Sequence, residues 1–210
     1  MCSILSISVS MSSVMTKAEA RQVYLQKRKA LSDAERDILN LQIYNRFFAS
    51  GYIDLVHTVH IFLSLERTRE PDTWQIVDRI RREMPNIRLV IPRINPAGTL
   101  DHFYFEGLHQ LTQNSLGILE PSQGIPASVS KIDFVLVPLT AFDENGNRVG
   151  YGKGFYDRFL KDCRPDCVKA GLSFFGPTEK FSDMEVHDVP LDLCFTPTEV
   201  YRFKRTHGIT

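Results

Sequence analysis

From Lys17 to Gly51 the apolar positions recur every three or four residues, the spacing that lines them along one side of a helix. Two helices are predicted here. The first ends near Leu31, and the second opens at Ser32, where Glu35 three residues on completes a capping box and Gly51 supplies the stop. Ile38, Leu41, Tyr44 and Phe48 mark the expected buried face of the second helix. A strand-like run, Val59 to Leu65, then meets a charged loop, Glu66 to Glu70. A helix from about Asp72 follows, with Trp74, Val77, Ile80 and Met84 on one side, and Pro85 ends it. Ile87 to Ile91 closes a β-α-β unit with the usual parallel, right-handed crossover.

The middle of the chain changes period. Thr99 to Glu106 sets Leu100, His102 and Tyr104 against Asp101, Phe103 and Phe105, which predicts an antiparallel ribbon in an insertion beside the main sheet. Glycines and prolines punctuate the stretch that runs on to Pro126. Ile132 to Val137 has the continuous apolar character of a strand covered on both faces, and Val168 to Phe174 and Leu193 to Phe195 are expected to extend the same sheet. The fold class expected is therefore α/β: a layered, mostly parallel sheet flanked by helices, with a small antiparallel insertion. One domain is expected over residues 15–210. Residues 1–14 carry no charge and raise the question of a signal peptide, but no basic segment precedes their apolar stretch and serines interrupt it; Met15 looks like a natural start, and the residues before it read as a disordered extension.

Charge narrows the partners. Twenty-five Lys plus Arg balance twenty-five Asp plus Glu, so no global positive field gathers nucleic acid or an anionic membrane. An anionic small molecule would have to be held locally. No run of about 18 apolar residues occurs, so no spanning helix is expected. Four cysteines are too few for a stapled secreted scaffold, which points to reduced thiols, Cys163 and Cys167 among them, and a cytoplasmic location. A monomer is favoured. His57 and His60 fall on opposite faces of a strand, and His102, His109, His187 and His207 show no ligand spacing, so no transition-metal site is expected.

The chemistry is concentrated in residues 141–160, AFDENGNRVGYGKGFYDRFL. Gly150, Gly152 and Gly154 stand at alternate positions just before a helix, where backbone without Cβ atoms brings N–H groups against an anion and the helix N-terminus adds partial positive charge. Arg148 and Lys153 add mobile cations, and the loop is expected to be exposed. No Ser or Thr follows the lysine, as a P-loop requires, and Phe155 and Asp157 occupy places where a dinucleotide fingerprint wants glycine. A carboxylate beside a phosphate cradle suits Mg²⁺, which binds through one or two carboxylates and substrate phosphates.

The run G-N-R-x-G-x-G-K-G-F-Y-D-R, residues 146–158, closely resembles the signature of the 5-formyltetrahydrofolate cyclo-ligases. The likeness extends from Lys17 to about Glu199, through I-F-L-S at 61–64, E-P-D-T at 70–73, I-P-R at 91–93, G-I-L-E-P at 117–121 and H-D-V-P-L-D at 187–192. It implies an enzyme that uses ATP and Mg²⁺ to turn 5-formyltetrahydrofolate into 5,10-methenyltetrahydrofolate, ADP and phosphate through a phosphorylated formyl group. It also implies roles. Lys17, Arg21 and the loop Arg148, Val149, Gly150, Tyr151, Gly152, Lys153, Gly154, Phe155 and Tyr156 would bind ATP, with Arg148 and Lys153 as catalytic cations and Arg148 the more central of the two. Leu63, Glu70 and residues 151–155 would meet the folate, and Asp157 and Asp188 would hold Mg²⁺. Two competing functions are a non-catalytic folate- or nucleotide-binding module on the same fold and a sugar-phosphate isomerase; the latter needs a positioned acid/base pair that the sequence does not display.

Overall fold

The computed structural model describes residues 14–115 and 117–204, so the extension expected at the N-terminus lies outside the described residues apart from Val14. Two helices open the fold, α1 (Lys17–Ala30) and α2 (Asp33–Ala49). Each begins with a reciprocal capping box, Thr16 with Glu19 and Ser32 with Glu35. The buried face of α2 differs from the expected one. Ile43 and Phe47 point inward, while Ile38 and Leu41 are 59% and 54% exposed. Apolar residues surround more than half of this helix, so periodicity leaves its inward side open and packing on the sheet decides it. The Phe47 ring meets Phe134 and Phe195 at centroid distances of 6.1 and 5.3 Å.

Eleven strands follow in the described residues: β1 (Thr58–His60), β2 (Arg88–Ile94), β3 (Leu100–Tyr104), β4 (Leu111–Gln113), β5 (Leu119–Pro121), β6 (Phe134–Val137), β7 (Ala141–Phe142), β8 (Arg148–Val149), β9 (Val168–Leu172), β10 (Leu193–Phe195) and β11 (Val200–Arg202). Helix α3 (Trp74–Glu83) joins β1 to β2, and α4 (Phe155–Asp162) joins β8 to β9. Seven strands form one sheet in the order β11-β10-β9-β6-β1-β2-β3. Its five inner strands are parallel, and β3 and β11 pair antiparallel at the edges. The sequence-based α/β class therefore holds, with three differences. The ribbon expected beside the sheet is part of it, since β3 pairs with β2 from Val90–Tyr104 to Ile94–Leu100; the separate ribbon is β4–β5. The run from Val59 leaves the ladder after His60 and continues as buried chain through Leu63. Helix α3 starts at Trp74 rather than Asp72, because the Asp72 side chain accepts the Trp74 N–H at 2.8 Å.

Alternation along β6 divides the core. Phe134 and Leu136 pack with Ile43 and Phe47 of α2 and Ile76, Val77 and Ile80 of α3. Val135 and Val137 pack with Phe159 and Leu160 of α4 on the other face. Helices thus cover both faces of a mainly parallel sheet. From β1 the chain crosses to β2 on one side, then returns through β3–β5 to β6 on the other. That reversal puts the topological switch point between the carboxyl ends of β1 and β6, the place where open parallel sheets form their ligand crevice.

Candidate active site

The glycine loop lies at this crevice. After β6 the chain forms the β7–β8 hairpin and passes through residues 150–154 into α4. Gly152 and Gly154 have φ of +84° and +64°, a region costly for residues with a Cβ. Gly154 occupies the N-cap of α4 and supplies no side-chain cap. The first-turn N–H groups of that helix therefore remain available to an anion. Gly150 is different. Its φ is not positive, and an added Cβ would come no nearer than 3.9 Å to the Pro138 carbonyl oxygen, so backbone geometry requires two of the three alternate glycines.

Cations reach the loop from distant parts of the chain. Lys17 and Arg21 stand one turn apart on α1; Arg21 reaches the glycine loop and Lys17 reaches Asp188. Arg21 Nε donates to the Gly150 carbonyl at 2.8 Å, and its guanidinium lies 3.4 Å from the point where a Cβ on Gly152 would stand. The Lys17 ammonium bonds Asp188 Oδ2 at 2.8 Å. Burial pulls the Lys17 pKa down, but the Asp188 hydrogen bond and the charges of Asp188, Glu185 and Asp183 outweigh it and leave it raised. For Asp188 burial acts upward, and the Lys17 bond and charge, with the Glu185 N–H, turn the net shift downward.

Arg148 overturns one expectation. It was expected in an exposed loop, yet it belongs to β8 and is only 6% exposed. Its Nη2 donates to Asp157 Oδ1 at 2.8 Å and its Nη1 to the Val189 carbonyl. Asp157 Oδ1 also accepts the Val189 N–H at 3.3 Å. The first-turn acid of α4 and the segment beside Asp188 are thereby tied to one buried guanidinium, whose pKa burial lowers despite the neighbouring Asp157. Lys153 stays exposed at the loop tip, its carbonyl accepting from Arg158 Nη2 at 3.2 Å.

On the β1 side of the crevice, Leu63 is buried and Glu70 is 8% exposed. Glu70 Oε2 accepts the Leu65 N–H at 2.9 Å, and Oε1 accepts the Tyr151 hydroxyl at 2.7 Å. Phe155 is half-buried, with the Arg158 guanidinium 5.5 Å from its ring centroid. The Tyr156 hydroxyl is buried with no hydrogen-bond partner among the described residues. Burial, then the Glu70 charge, pushes that phenol's pKa up, and Arg148 opposes.

Two features escaped the sequence reading. Arg28, 1% exposed, donates through Nη1 to the Tyr151 hydroxyl at 3.1 Å and through Nη2 to the Leu139 carbonyl. Its place on the Lys17–Arg21 face of α1 was the available signal. The second is a buried pair of imidazoles. His60 and His102 meet edge to face, 5.1 Å apart, beside Phe159, and both ring nitrogens of His60 and Nδ1 of His102 lack partners among the described residues. Only the register of β1, β2 and β3 brings them together.

A parallel sheet carrying a glycine loop, an uncapped helix N-terminus, three cations and two carboxylates at its topological switch point is an α/β arrangement suited to holding an anionic ligand. Comparison with known proteins gives the family. A model described as the 5-formyltetrahydrofolate cyclo-ligase family matches residues 13–197. The 5-formyltetrahydrofolate cyclo-ligase of Escherichia coli (strain K12) is 30% identical over 183 residues, covering 85% of this chain and 98% of that protein. The Mus musculus 5-formyltetrahydrofolate cyclo-ligase is 30% identical over 146 residues, 66% of this chain and 70% of its own length. Among solved structures, the Aquifex aeolicus 5,10-methenyltetrahydrofolate synthetase aligns with a TM-score of 0.76 and 25% identity, over 93% of this chain and all (100%) of that one. A 5,10-methenyltetrahydrofolate synthetase from Mycoplasma pneumoniae shares the fold, with a TM-score of 0.70 and 24% identity over 87% and 99% of the two chains. The chain belongs to the 5-formyltetrahydrofolate cyclo-ligase family and is a ligase. Among the described residues no helix is long and apolar enough to cross a membrane.

Proposed function

We propose that this chain closes 5-formyltetrahydrofolate to 5,10-methenyltetrahydrofolate in the cytoplasm, consuming ATP and releasing ADP and phosphate. The observation that carries the reading is the placing of three cations about the start of α4: Arg21 on the Gly150 carbonyl, Arg148 on Asp157 of the first turn, and Lys17 on Asp188, next to the Val189 N–H that Asp157 accepts. The formyl carbonyl is amide-like and a poor electrophile. Transfer of the γ-phosphoryl group to its oxygen gives an iminium phosphate; N10 attacks that carbon, and phosphate departs as the ring closes. No protein nucleophile is needed. The chain's task is to orient two substrates and neutralise moving charge.

The loop N–H groups and Arg21 would take the phosphates at the tip of α4, with Lys153 reaching in from the exposed side. Arg148 would stay beneath the transferring group as a fixed charge, since its own partners hold it in place. Val149, Gly150, Gly152 and Gly154 contribute backbone rather than side-chain chemistry. Leu63, Phe155 and Tyr156 present apolar surface for a flat ring, and the unpartnered Tyr156 hydroxyl has a hydrogen bond to offer a ligand.

Asp157 and Asp188 suit Mg²⁺ as hard oxygen donors. No cluster of three or more His, Cys, Asp or Glu side chains capable of holding a metal occurs among the described residues. Two carboxylates completed by phosphate oxygens and water are nonetheless a normal Mg²⁺ shell. The ion would be held by Asp157 and Asp188 and would supply charge neutralisation for the nucleotide's phosphates. Each acid now pairs with a cation, Asp188 with Lys17 and Asp157 with Arg148. Lys17 is thereby held ready to exchange its carboxylate for a phosphate oxygen.

The test is direct. Protein mixed with MgATP and 5-formyltetrahydrofolate should produce the near-ultraviolet band of the methenyl product, with ADP formed in equal amount. A folded protein giving neither refutes the proposal; tight binding of both substrates without ADP release would mark a binding module instead.

A further inference from the structure

We propose that Tyr151 is a specificity-determining latch: its hydroxyl occupies the Glu70 oxygen that the pterin ring must take, and so sets the affinity for the folate. The inference rests on the reading of Glu70 as a substrate contact. Glu70 is buried, and each of its oxygens has a donor. Oε2 accepts the Leu65 N–H at 2.9 Å, a backbone bond from five residues away, fixed by the turn after β1. Oε1 accepts the Tyr151 hydroxyl at 2.7 Å, from a residue 81 positions along the chain in the glycine loop. The first donor belongs to the carboxylate's own loop. The second comes across the crevice.

Tyr151 is placed to act as a cover. The residue is 36% exposed, yet its hydroxyl lies inward between Glu70 and Arg28. The ring therefore lies over the carboxylate with its outer side toward solvent. Gly150 and Gly152 flank it, and Gly152 is at φ +84°, so the adjoining backbone lacks the Cβ restraints that would pin the ring. Arg28 tightens the closed arrangement. It donates to the phenol oxygen at 3.1 Å and is itself anchored on the Leu139 carbonyl, which makes the hydroxyl a stronger donor toward Glu70.

A pterin carries two adjacent N–H donors on its amino-pyrimidinone edge, a match for both oxygens of one carboxylate. On Oε1 a pterin N–H meets the Tyr151 hydroxyl as a competitor that reaches in from the solvent side, whereas the Leu65 N–H on Oε2 comes from the carboxylate's own loop. Binding is therefore an exchange of one charge-assisted hydrogen bond for another, and the chain forfeits part of the gain. Removing the hydroxyl while keeping the ring should remove the competitor.

Calorimetry with 5-formyltetrahydrofolate in the absence of nucleotide tests this on the full chain, using wild type, Tyr151→Phe and Glu70→Gln. Tyr151→Phe should bind about tenfold more tightly, the scale of one hydrogen bond to a charged group. The folate KM should fall by a similar factor, a gain that a loss of general stability would not give. Glu70→Gln should bind at least about tenfold more weakly. Unchanged or weaker binding by Tyr151→Phe, beside a weakened Glu70→Gln, overturns the latch alone. Unchanged binding by Glu70→Gln overturns the substrate role of Glu70 and the latch with it.

Discussion

Acidification should destabilise this protein well above the carboxylate range, through the buried imidazoles of His60 and His102. His60 is fully buried, and burial, reinforced by the nearby His102, holds its pKa well below the usual 6.5. His102 is lowered to about 4 by burial, which the charges of Asp101 and Asp162 only partly oppose. Both rings are therefore neutral in the fold at neutral pH, whereas in the unfolded chain they protonate near 6.5. The sign follows. Between pH 6.5 and the depressed folded values the unfolded state binds more protons, so stability is complete above 6.5 and is lost as pH falls.

Each histidine contributes a slope of about 1.4 kcal/mol per pH unit in that window, so at pH 5.5 the pair removes roughly 2 to 3 kcal/mol. By pH 4 His102 alone has given up about 3 kcal/mol. That is a large fraction of a typical stability of about 5–15 kcal/mol. Asp101, Asp133 and Asp188, whose pKa values are lowered in the fold, lose their contribution only near and below their unfolded values around 4. The interval from pH 6.5 to 5 thus isolates the imidazoles. Urea unfolding at half-unit steps measures the slope, and His60→Phe and His102→Phe, which keep a ring against Phe159, should each remove about half of it. A flat wild-type profile over that interval, or a slope that neither substitution changes, would refute the reasoning.

Other predictions concern the site. Arg148→Ala should abolish turnover and also lower stability by about 3 kcal/mol, because it empties a buried site and leaves the half-buried Asp157 without its cation and the Val189 carbonyl without its donor; a variant with wild-type melting temperature would contradict the observed burial. Gly152→Ala forces a Cβ into a left-handed conformation beside the Arg21 guanidinium, and should raise the KM for ATP several-fold at a cost of about 1–2 kcal/mol in stability. Lys153→Ala, at the exposed loop tip, should leave the melting temperature within about a degree of wild type while weakening ATP binding, which nucleotide titration will measure. Asp188→Asn should weaken Mg²⁺ binding and the hold on Lys17, seen as a raised Mg²⁺ concentration for half-maximal activity in steady-state assays.

What the sequence determined about this protein was mostly local. The capping box at Ser32 and Glu35, the Gly-rich turn into α4, the one-turn spacing of Lys17 and Arg21 and the alternation of strand and helix each lie within a few residues, where backbone geometry and side-chain period act directly. Family likeness in the 146–158 run extended that reading to residues far apart. Tertiary structure decided the rest, because nothing local couples positions separated by much of the chain. Lys17 meets Asp188 across 171 residues and Tyr151 meets Glu70 across 81. His60 faces His102 because β2 pairs Val90 with His60 on one side and Pro92 with His102 on the other. Arg148 looked like a loop cation and is a buried strand residue, since a two-residue strand leaves almost no periodic trace. The inward face of α2 was likewise open until the sheet selected it, for a helix apolar on several sides fits more than one packing and only its neighbours choose.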